Sequence, residues 1–83
     1  MYTVYVLNSS SFNKIYIGYT SDIAQRMKSH NELSKKGRTV NLRPWELVYT
    51  ETFEEKAGAM ARERSLKTGK GREFIWLMIK KEK

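Results

Sequence analysis

The amino-acid sequence predicts an α/β domain, in the looser α+β sense, built from three short strands and about three helices. Three segments, 2–7, 14–19 and 45–50, alternate β-branched or aromatic residues with period two, which is the pattern of a strand. Three others, 22–31, 53–67 and 73–79, carry apolar residues at helical spacing. A chain of 83 residues with 40% hydrophobic and 12% aromatic content has material for one small core, so residues 1–83 are expected to form a single domain.

The first strand, Tyr2-Thr3-Val4-Tyr5-Val6-Leu7, puts Val4 and Val6 on one face and Thr3, Tyr5 and Leu7 on the other. It runs into Asn8-Ser9-Ser10-Ser11-Phe12-Asn13, which is turn chemistry. In the second strand, Lys14-Ile15-Tyr16-Ile17-Gly18-Tyr19, the isoleucines share one face and Tyr16 and Gly18 the other. If the two pair as a hairpin in the register the valines and isoleucines demand, Tyr5 and Tyr16 emerge together beside a bare glycine. A glycine inside a strand lets another group approach the backbone closely.

Thr20-Ser21-Asp22 supplies a helix N-cap, and a helix is expected from Asp22 to Asn31 with Ile23 and Met27 buried and Ala24 at the edge. Arg26 and His30, four apart, stand on one face beside that stripe. Residues 32–43, with Lys35, Lys36 and Arg38, read as a basic loop ended by Pro44. The third strand is expected to show Trp45, Leu47 and Tyr49 on one face. Thr52-Phe53-Glu54-Glu55 fits a capping box for a helix running from Phe53 to Lys67, stopped by Gly69, with Ala57, Met60 and Ala61 as its buried stripe. The apolar run from Glu73 to Ile79 should form a closing helix with a basic end at Lys80, Lys81 and Lys83.

Sixteen Lys and Arg against nine Asp and Glu leave a net charge of +7, which favours a polyanionic partner, most simply DNA, with RNA left open. The alternative is a basic surface kept for solubility. No cysteine is present, so disulfides and thiolate metal sites are excluded and a cytoplasmic setting is expected. No apolar run approaches the roughly 20 residues of a membrane span, so no membrane partner is expected.

Each candidate residue has a plain reading beside a chemical one. Tyr5 and Tyr16 are either packing residues or phenols that orient water near a phosphate. His30 is either a surface histidine favoured at a helix C-terminus or a general base. Arg26 is either solvated or a guanidinium holding two phosphate oxygens. Glu63 either pairs with Lys67 across one turn or, hemmed in by Ala59, Met60 and Leu66, ligates one Mg²⁺ whose remaining positions go to water and substrate oxygens. The acids are too scattered for a two-metal centre. Arg62, Arg64, Lys67, Lys70 and Arg72, with the basic loop, are available for phosphate contacts, which position a protein without reading sequence.

In this ordered series the chain resembles the GIY-YIG nuclease domain, in its small, single-domain, UvrC-like (UPF0213-type) bacterial form, from about Tyr2 to Trp76. The second signature, Tyr16-Ile17-Gly18, is intact; in the first, Thr3-Val4-Tyr5 stands for Gly-Ile-Tyr and keeps only the tyrosine. Arg26 and His30 fall where the family carries an arginine and, in many members, a histidine one turn on. Glu63 falls where it carries its metal-binding glutamate. The asparagine that many members place about a dozen residues further on is missing from Arg72-Glu73-Phe74-Ile75-Trp76, leaving Lys67, Lys70 or Arg72 to take over, or activity weakened.

The resemblance implies a small three-stranded antiparallel sheet flanked by helices. It also implies an endonuclease that cuts DNA with one Mg²⁺ or Mn²⁺ on Glu63, leaving 5′-phosphate and 3′-hydroxyl ends. Tyr5, with His30, would activate the attacking water, Tyr16 would orient water or phosphate, and Arg26 would neutralise transition-state charge. Gly18 would keep the sheet face open for backbone approach, and a protein partner could supply specificity. Two other classes stand beside this: a non-catalytic nucleic-acid-binding module on the same fold, and a basic protein–protein adaptor.

Overall fold

The computed structural model describes residues 1–10, 12–28 and 45–81. Three strands, β1 (Tyr2–Ser9), β2 (Lys14–Thr20) and β3 (Glu46–Phe53), form one antiparallel sheet in the order β2-β1-β3. Three helices accompany it: α1 (Ile23–Lys28), α2 (Lys56–Leu66) and α3 (Gly69–Lys81). The expected three-stranded antiparallel α+β architecture is therefore the observed one.

The hairpin register pairs Val4 with Tyr19, Tyr5 with Gly18, Val6 with Ile17 and Leu7 with Tyr16. Cross-strand partners share a face, so Tyr5 and Tyr16 do lie on the same side. The connecting turn closes through the Phe12 N–H donating to the Ser9 carbonyl (3.2 Å), and Asn13 takes φ 55°, a left-handed conformation that asparagine adopts more readily than most residues.

Both faces of the central strand β1 are covered by packed side chains, so of the two readings of Tyr5 the packing one holds for its ring. Its side chain is among the largest fully buried ones, at 1% exposure. On one face Val4, Val6 and Ile17 pack with Ala59 and Leu66 of α2 and Ile75 and Ile79 of α3. On the other, Tyr5, Leu7 and Trp45 pack with Tyr16 and with Ile23 and Met27 of α1. Each fully buried aliphatic side chain contributes about 1.5–3 kcal/mol relative to exposure.

Asp22 caps α1, its Oδ1 accepting from the Gln25 N–H (3.1 Å), while the Asp22 N–H donates to Thr20 Oγ1 (3.1 Å). The helix begins one residue later than expected, since Asp22 is the cap itself; its expected end at Asn31 lies outside the described residues.

Further expectations about β3, α2 and Gly69 are corrected. Pairing shifts register between Val6, opposite Tyr49, and Leu7, opposite Leu47, leaving Val48 as an extra bulge residue. Tyr49 therefore joins the α2–α3 side, while Trp45 stays with Tyr5 on the other face. Thr52 and Phe53 do not open a helix, because β1 pairs them with Thr3 and Tyr2; α2 starts at Lys56, and Glu55 at its N-cap makes no side-chain capping bond. The inward stripe of α2 is Ala59, Arg62, Glu63 and Leu66, buried or half-buried, whereas Ala57, Met60 and Ala61 are exposed.

Gly69 does not end α2; it is the first residue of α3. Thr68 makes the junction, its hydroxyl donating to the Ser65 carbonyl (2.7 Å) and accepting from the Gly71 N–H (3.2 Å). Among the described residues no helix is long and apolar enough to cross a membrane.

Candidate functional site

β2 is an edge strand, and a cleft of about 360 Å³ wraps around it at Gly18. Tyr5, Tyr16 and Arg26 reach the cleft from the α1 side of the sheet. Glu63 and Lys56 reach it from α2, seven residues apart and so on one helical face, with Tyr2 and Tyr19 beneath them and Ser21 at the rim. Five residues expected to form the site, Tyr5, Tyr16, Gly18, Arg26 and Glu63, are thus brought together.

Gly18 makes the convergence possible. A Cβ there would lie 2.7 Å from Tyr5 Oη, 2.9 Å from Tyr5 Cζ and 3.2 Å from Tyr16 Cε1. The Tyr5 phenol therefore lies across the bare backbone of Gly18. The two phenol rings stack with centroids 6.2 Å apart and planes 26° from parallel, and Trp45 meets Tyr16 edge-on at 6.3 Å. Two rigid contacts fix Tyr16 while its edge stays in the cleft.

Burial pushes the Tyr5 phenol up to about 12, and the neighbouring Tyr16 and Glu63 push the same way; the charge and hydrogen bond of Arg26 oppose them without prevailing. At pH 7 Tyr5 therefore keeps its proton. It is a neutral hydroxyl with Arg26 as a donor beside it.

Glu63 is half-buried, and its Oε1 accepts an ion pair from Lys67 Nζ at 3.3 Å, the i,i+4 pairing that its sequence neighbours allow. Lys67 and Arg72 also line a second cavity of about 100 Å³ with Ile15, Tyr16 and Ile17. Tyr16 belongs to both hollows, so they adjoin along β2. Lys70 is exposed at the start of α3 and lines neither. His30, Lys35, Lys36 and Arg38 lie outside the described residues.

Arg62, next to Glu63, turns toward β3, where its Nε donates to Glu51 Oε2 (2.9 Å), which also accepts from the Tyr49 hydroxyl (2.7 Å). Burial raises the Glu51 carboxyl, but hydrogen bonds from Arg62 and Tyr49 and the Arg62 charge outweigh it and leave the group below the usual carboxylate range. This network holds α2 to the sheet on the side opposite the cleft. Neither it nor Lys56 is evident in the sequence reading, although the seven-residue spacing from Lys56 to Glu63 is a signal that could have found Lys56.

Among the described residues no three His, Cys, Asp or Glu side chains gather into a metal cluster. The cleft instead offers one carboxylate, Glu63, beside open volume. That donor set fits a single hard cation of the Mg²⁺ type, which is commonly held by one or two carboxylates, with water and phosphate oxygens completing its shell.

An antiparallel sheet of order β2-β1-β3, with helices on both faces and a Tyr-Ile-Gly edge strand, defines a GIY-YIG-like α+β domain. The chain belongs to the GIY-YIG family: the GIY-YIG catalytic domain matches residues 1–75. It is similar to a UPF0213 protein of Staphylococcus haemolyticus, at 38% identity over 65 residues covering 78% of each chain. A UPF0213 protein of Natronomonas pharaonis is 37% identical over 65 residues, covering 78% of this chain and 75% of that one. The solution NMR structure of the UPF0213 protein from Bacillus halodurans superposes with a TM-score of 0.55 at 29% identity, covering 94% of this chain and 85% of that one.

Proposed function

We propose that this domain is a divalent-metal-dependent endonuclease that hydrolyses phosphodiester bonds in DNA in the cytoplasm. The observation that carries the reading is the convergence of Tyr5, Tyr16, Arg26 and Glu63 around Gly18 in one cleft. Membership of the GIY-YIG family supports a nucleic-acid substrate, and the net charge of +7 supplies the attraction for it.

Glu63 would hold the cation, Mg²⁺ or Mn²⁺, which when bound supplies Lewis-acid stabilisation of charge on phosphate oxygens. Arg26 presents a permanently charged, forked donor that binds two phosphate oxygens and follows their charge as it grows. Tyr5, protonated at neutral pH, positions the attacking water or a phosphate oxygen through its hydroxyl and holds the Arg26 side chain in place. Tyr16 orients the same water from the neighbouring ring. His30, four residues beyond Arg26 in the sequence, is the candidate to accept the water's proton, imidazole being the side chain best suited to general-base work near neutral pH. The basic residues Lys35, Lys36, Arg38, Lys67, Lys70 and Arg72 would contact phosphates and set affinity rather than sequence preference.

The Glu63–Lys67 ion pair favours a second reading, in which the fold binds nucleic acid without cutting it, because a lysine already neutralises the carboxylate. One experiment separates the two. Labelled linear, branched and single-stranded DNAs are incubated with Mg²⁺, Mn²⁺ or EDTA, using wild type and Glu63→Ala. Metal-dependent cutting that disappears in Glu63→Ala, with DNA binding retained, is the result expected. Salt-sensitive binding with no cutting of any substrate would replace the nuclease with the binding module.

A further inference from the structure

The ammonium of Lys67 sits between two hollows that call on it for different purposes. Its Nζ is 3.3 Å from Glu63 Oε1 at the main cleft, while the same side chain lines the small cavity beside Tyr16 with Arg72. The ion pair is of the half-exposed i,i+4 kind, with side-chain exposures of 48% for Lys67 and 21% for Glu63, a pairing that is individually weak and easily exchanged. Lysine carries its charge on a flexible four-carbon stem and is suited to such exchange.

Arg72 is held nearby, its Nε donating to the Lys67 carbonyl at 3.3 Å. That bond uses one of the five guanidinium N–H donors and leaves the others for an anion. A phosphate in the small cavity would face two cations, Arg72 and Lys67, on one side and the apolar edge of β2 at Ile15 and Ile17 on the other. A phosphate there would be held by Arg72 and Lys67 together, against the single weak i,i+4 pairing that Lys67 would give up.

We propose that Lys67 exchanges between Glu63 in the DNA-free protein and a strand phosphate in the small cavity when DNA is seated, so that strand binding releases the carboxylate for its cation. The inference rests on Glu63 being the cation ligand. It makes the cation site conditional on substrate: with the strand absent, Lys67 occupies the carboxylate and opposes a second positive charge. Linkage requires the converse, that the cation tightens strand binding by the same factor.

The test measures Mn²⁺ binding by the loss of the free-ion electron paramagnetic resonance signal, with and without a phosphorothioate oligonucleotide that resists cleavage. Wild type, Lys67→Met, Lys67→Gln, Arg72→Met and Glu63→Gln are compared, each checked for folding by circular dichroism. Without oligonucleotide, Lys67→Met and Lys67→Gln should bind Mn²⁺ about three- to tenfold more tightly than wild type. Oligonucleotide should tighten wild-type binding about tenfold and the Lys67 variants by clearly less, the remainder being direct phosphate contact with the ion. Arg72→Met should leave the DNA-free affinity unchanged and reduce the oligonucleotide effect.

If Glu63→Gln abolishes Mn²⁺ binding while the Lys67 variants bind no better than wild type, the exchange is wrong and the cation site stands. Unchanged Mn²⁺ binding in Glu63→Gln would remove the cation site itself, and the exchange with it.

Discussion

The hydroxyl of Tyr5 lies 2.7 Å from the point where a side chain on Gly18 would begin, so the phenol and the glycine occupy one space between them. Tyr5 is the central-strand partner of Gly18 in the hairpin register and is closed in by Leu7 and Trp45 of the same cluster, so its ring has nowhere to retreat. Gly18→Ala should therefore overpack the site and lower stability by about 1–3 kcal/mol. Cleavage should fall further than stability, because the displaced ring carries Arg26 with it. Tyr5→Phe removes the nearest atom, leaving Cζ at 2.9 Å, so the double variant should recover part of the stability and none of the cleavage. Urea unfolding of the four proteins checks this; strict additivity would show that the two residues are not in contact as described.

The Tyr5 phenol, raised from 10.0 to about 12 first by burial, should report itself spectroscopically. Absorbance at the phenolate band during alkaline titration should show two tyrosines ionising above the ordinary phenol value of 10.0. Tyr49, raised by its hydrogen bond to Glu51 and then by burial, is one, and Tyr5, near 12, is the other. Tyr5→Phe should remove that late step alone. The sign for stability follows: the raised value belongs to the folded state, so the contribution of the neutral phenol is complete below about 10 and is lost as pH climbs through about 12. Ionisation of Tyr5 below pH 9 would contradict the buried placement.

How far the sequence reveals this site depends on which residues are governed by local rules. Period-two alternation and the demand that Val4, Val6, Ile15 and Ile17 share a core suffice to put Tyr5 and Tyr16 on one face beside Gly18. The burial of Tyr5 is not legible in that pattern, because it comes from side chains distant in the sequence that pack over the same sheet face, Trp45 and Ile23 and Met27 of α1. The pairing of β3 with β1 claims Thr52 and Phe53, defeating a capping box that is locally sound. Val48 flips Tyr49 to the other face by a bulge that no hydropathy pattern marks. The stripe of α2 differs from the hydropathy expectation because two of its four inward residues, Arg62 and Glu63, are charged, one tied to Glu51 and one turned into the cleft. Hydropathy assigns charge to solvent, and a functional helix breaks that rule where its chemistry lies.

Arg62 and Glu51 make the opposite kind of polar contact, one that holds the helix and carries a pH signature. Both side chains are about a third exposed, so Glu51→Gln or Arg62→Met should cost only about 0.5–1 kcal/mol at pH 7. The Glu51 carboxyl is depressed in the folded state, so its contribution is present above the ordinary carboxylate pKa and disappears as pH falls through the lower folded value. The stability difference between wild type and Glu51→Gln, followed by urea unfolding from pH 7 down to pH 3, should narrow steadily below about pH 4.5. A difference that stays constant across that range would mean the pair is not formed in solution.

Two glycines at the α2–α3 junction should respond to alanine in opposite directions. A Cβ on Gly71 would fall 2.4 Å from the Ser65 carbonyl oxygen, 2.5 Å from Leu66 Cα and 2.6 Å from the Leu66 carbonyl oxygen. All three are backbone atoms of the preceding helix, at a corner pinned by the Thr68 hydroxyl, so nothing there can give without moving α3. Gly71→Ala should cost about 3 kcal/mol or more, at the upper end of overpacking effects. By displacing α3 it should also loosen Ile75 and Ile79 from the core they share with Leu66. Gly69 meets nothing within 4 Å, and Gly69→Ala should stabilise by about 0.4–1 kcal/mol through the smaller entropy of the unfolded chain. Thermal and urea unfolding of both variants provide the check. Equal destabilisation by the two substitutions would show that helix-start conformation, rather than the close approach of the two helices, controls this corner.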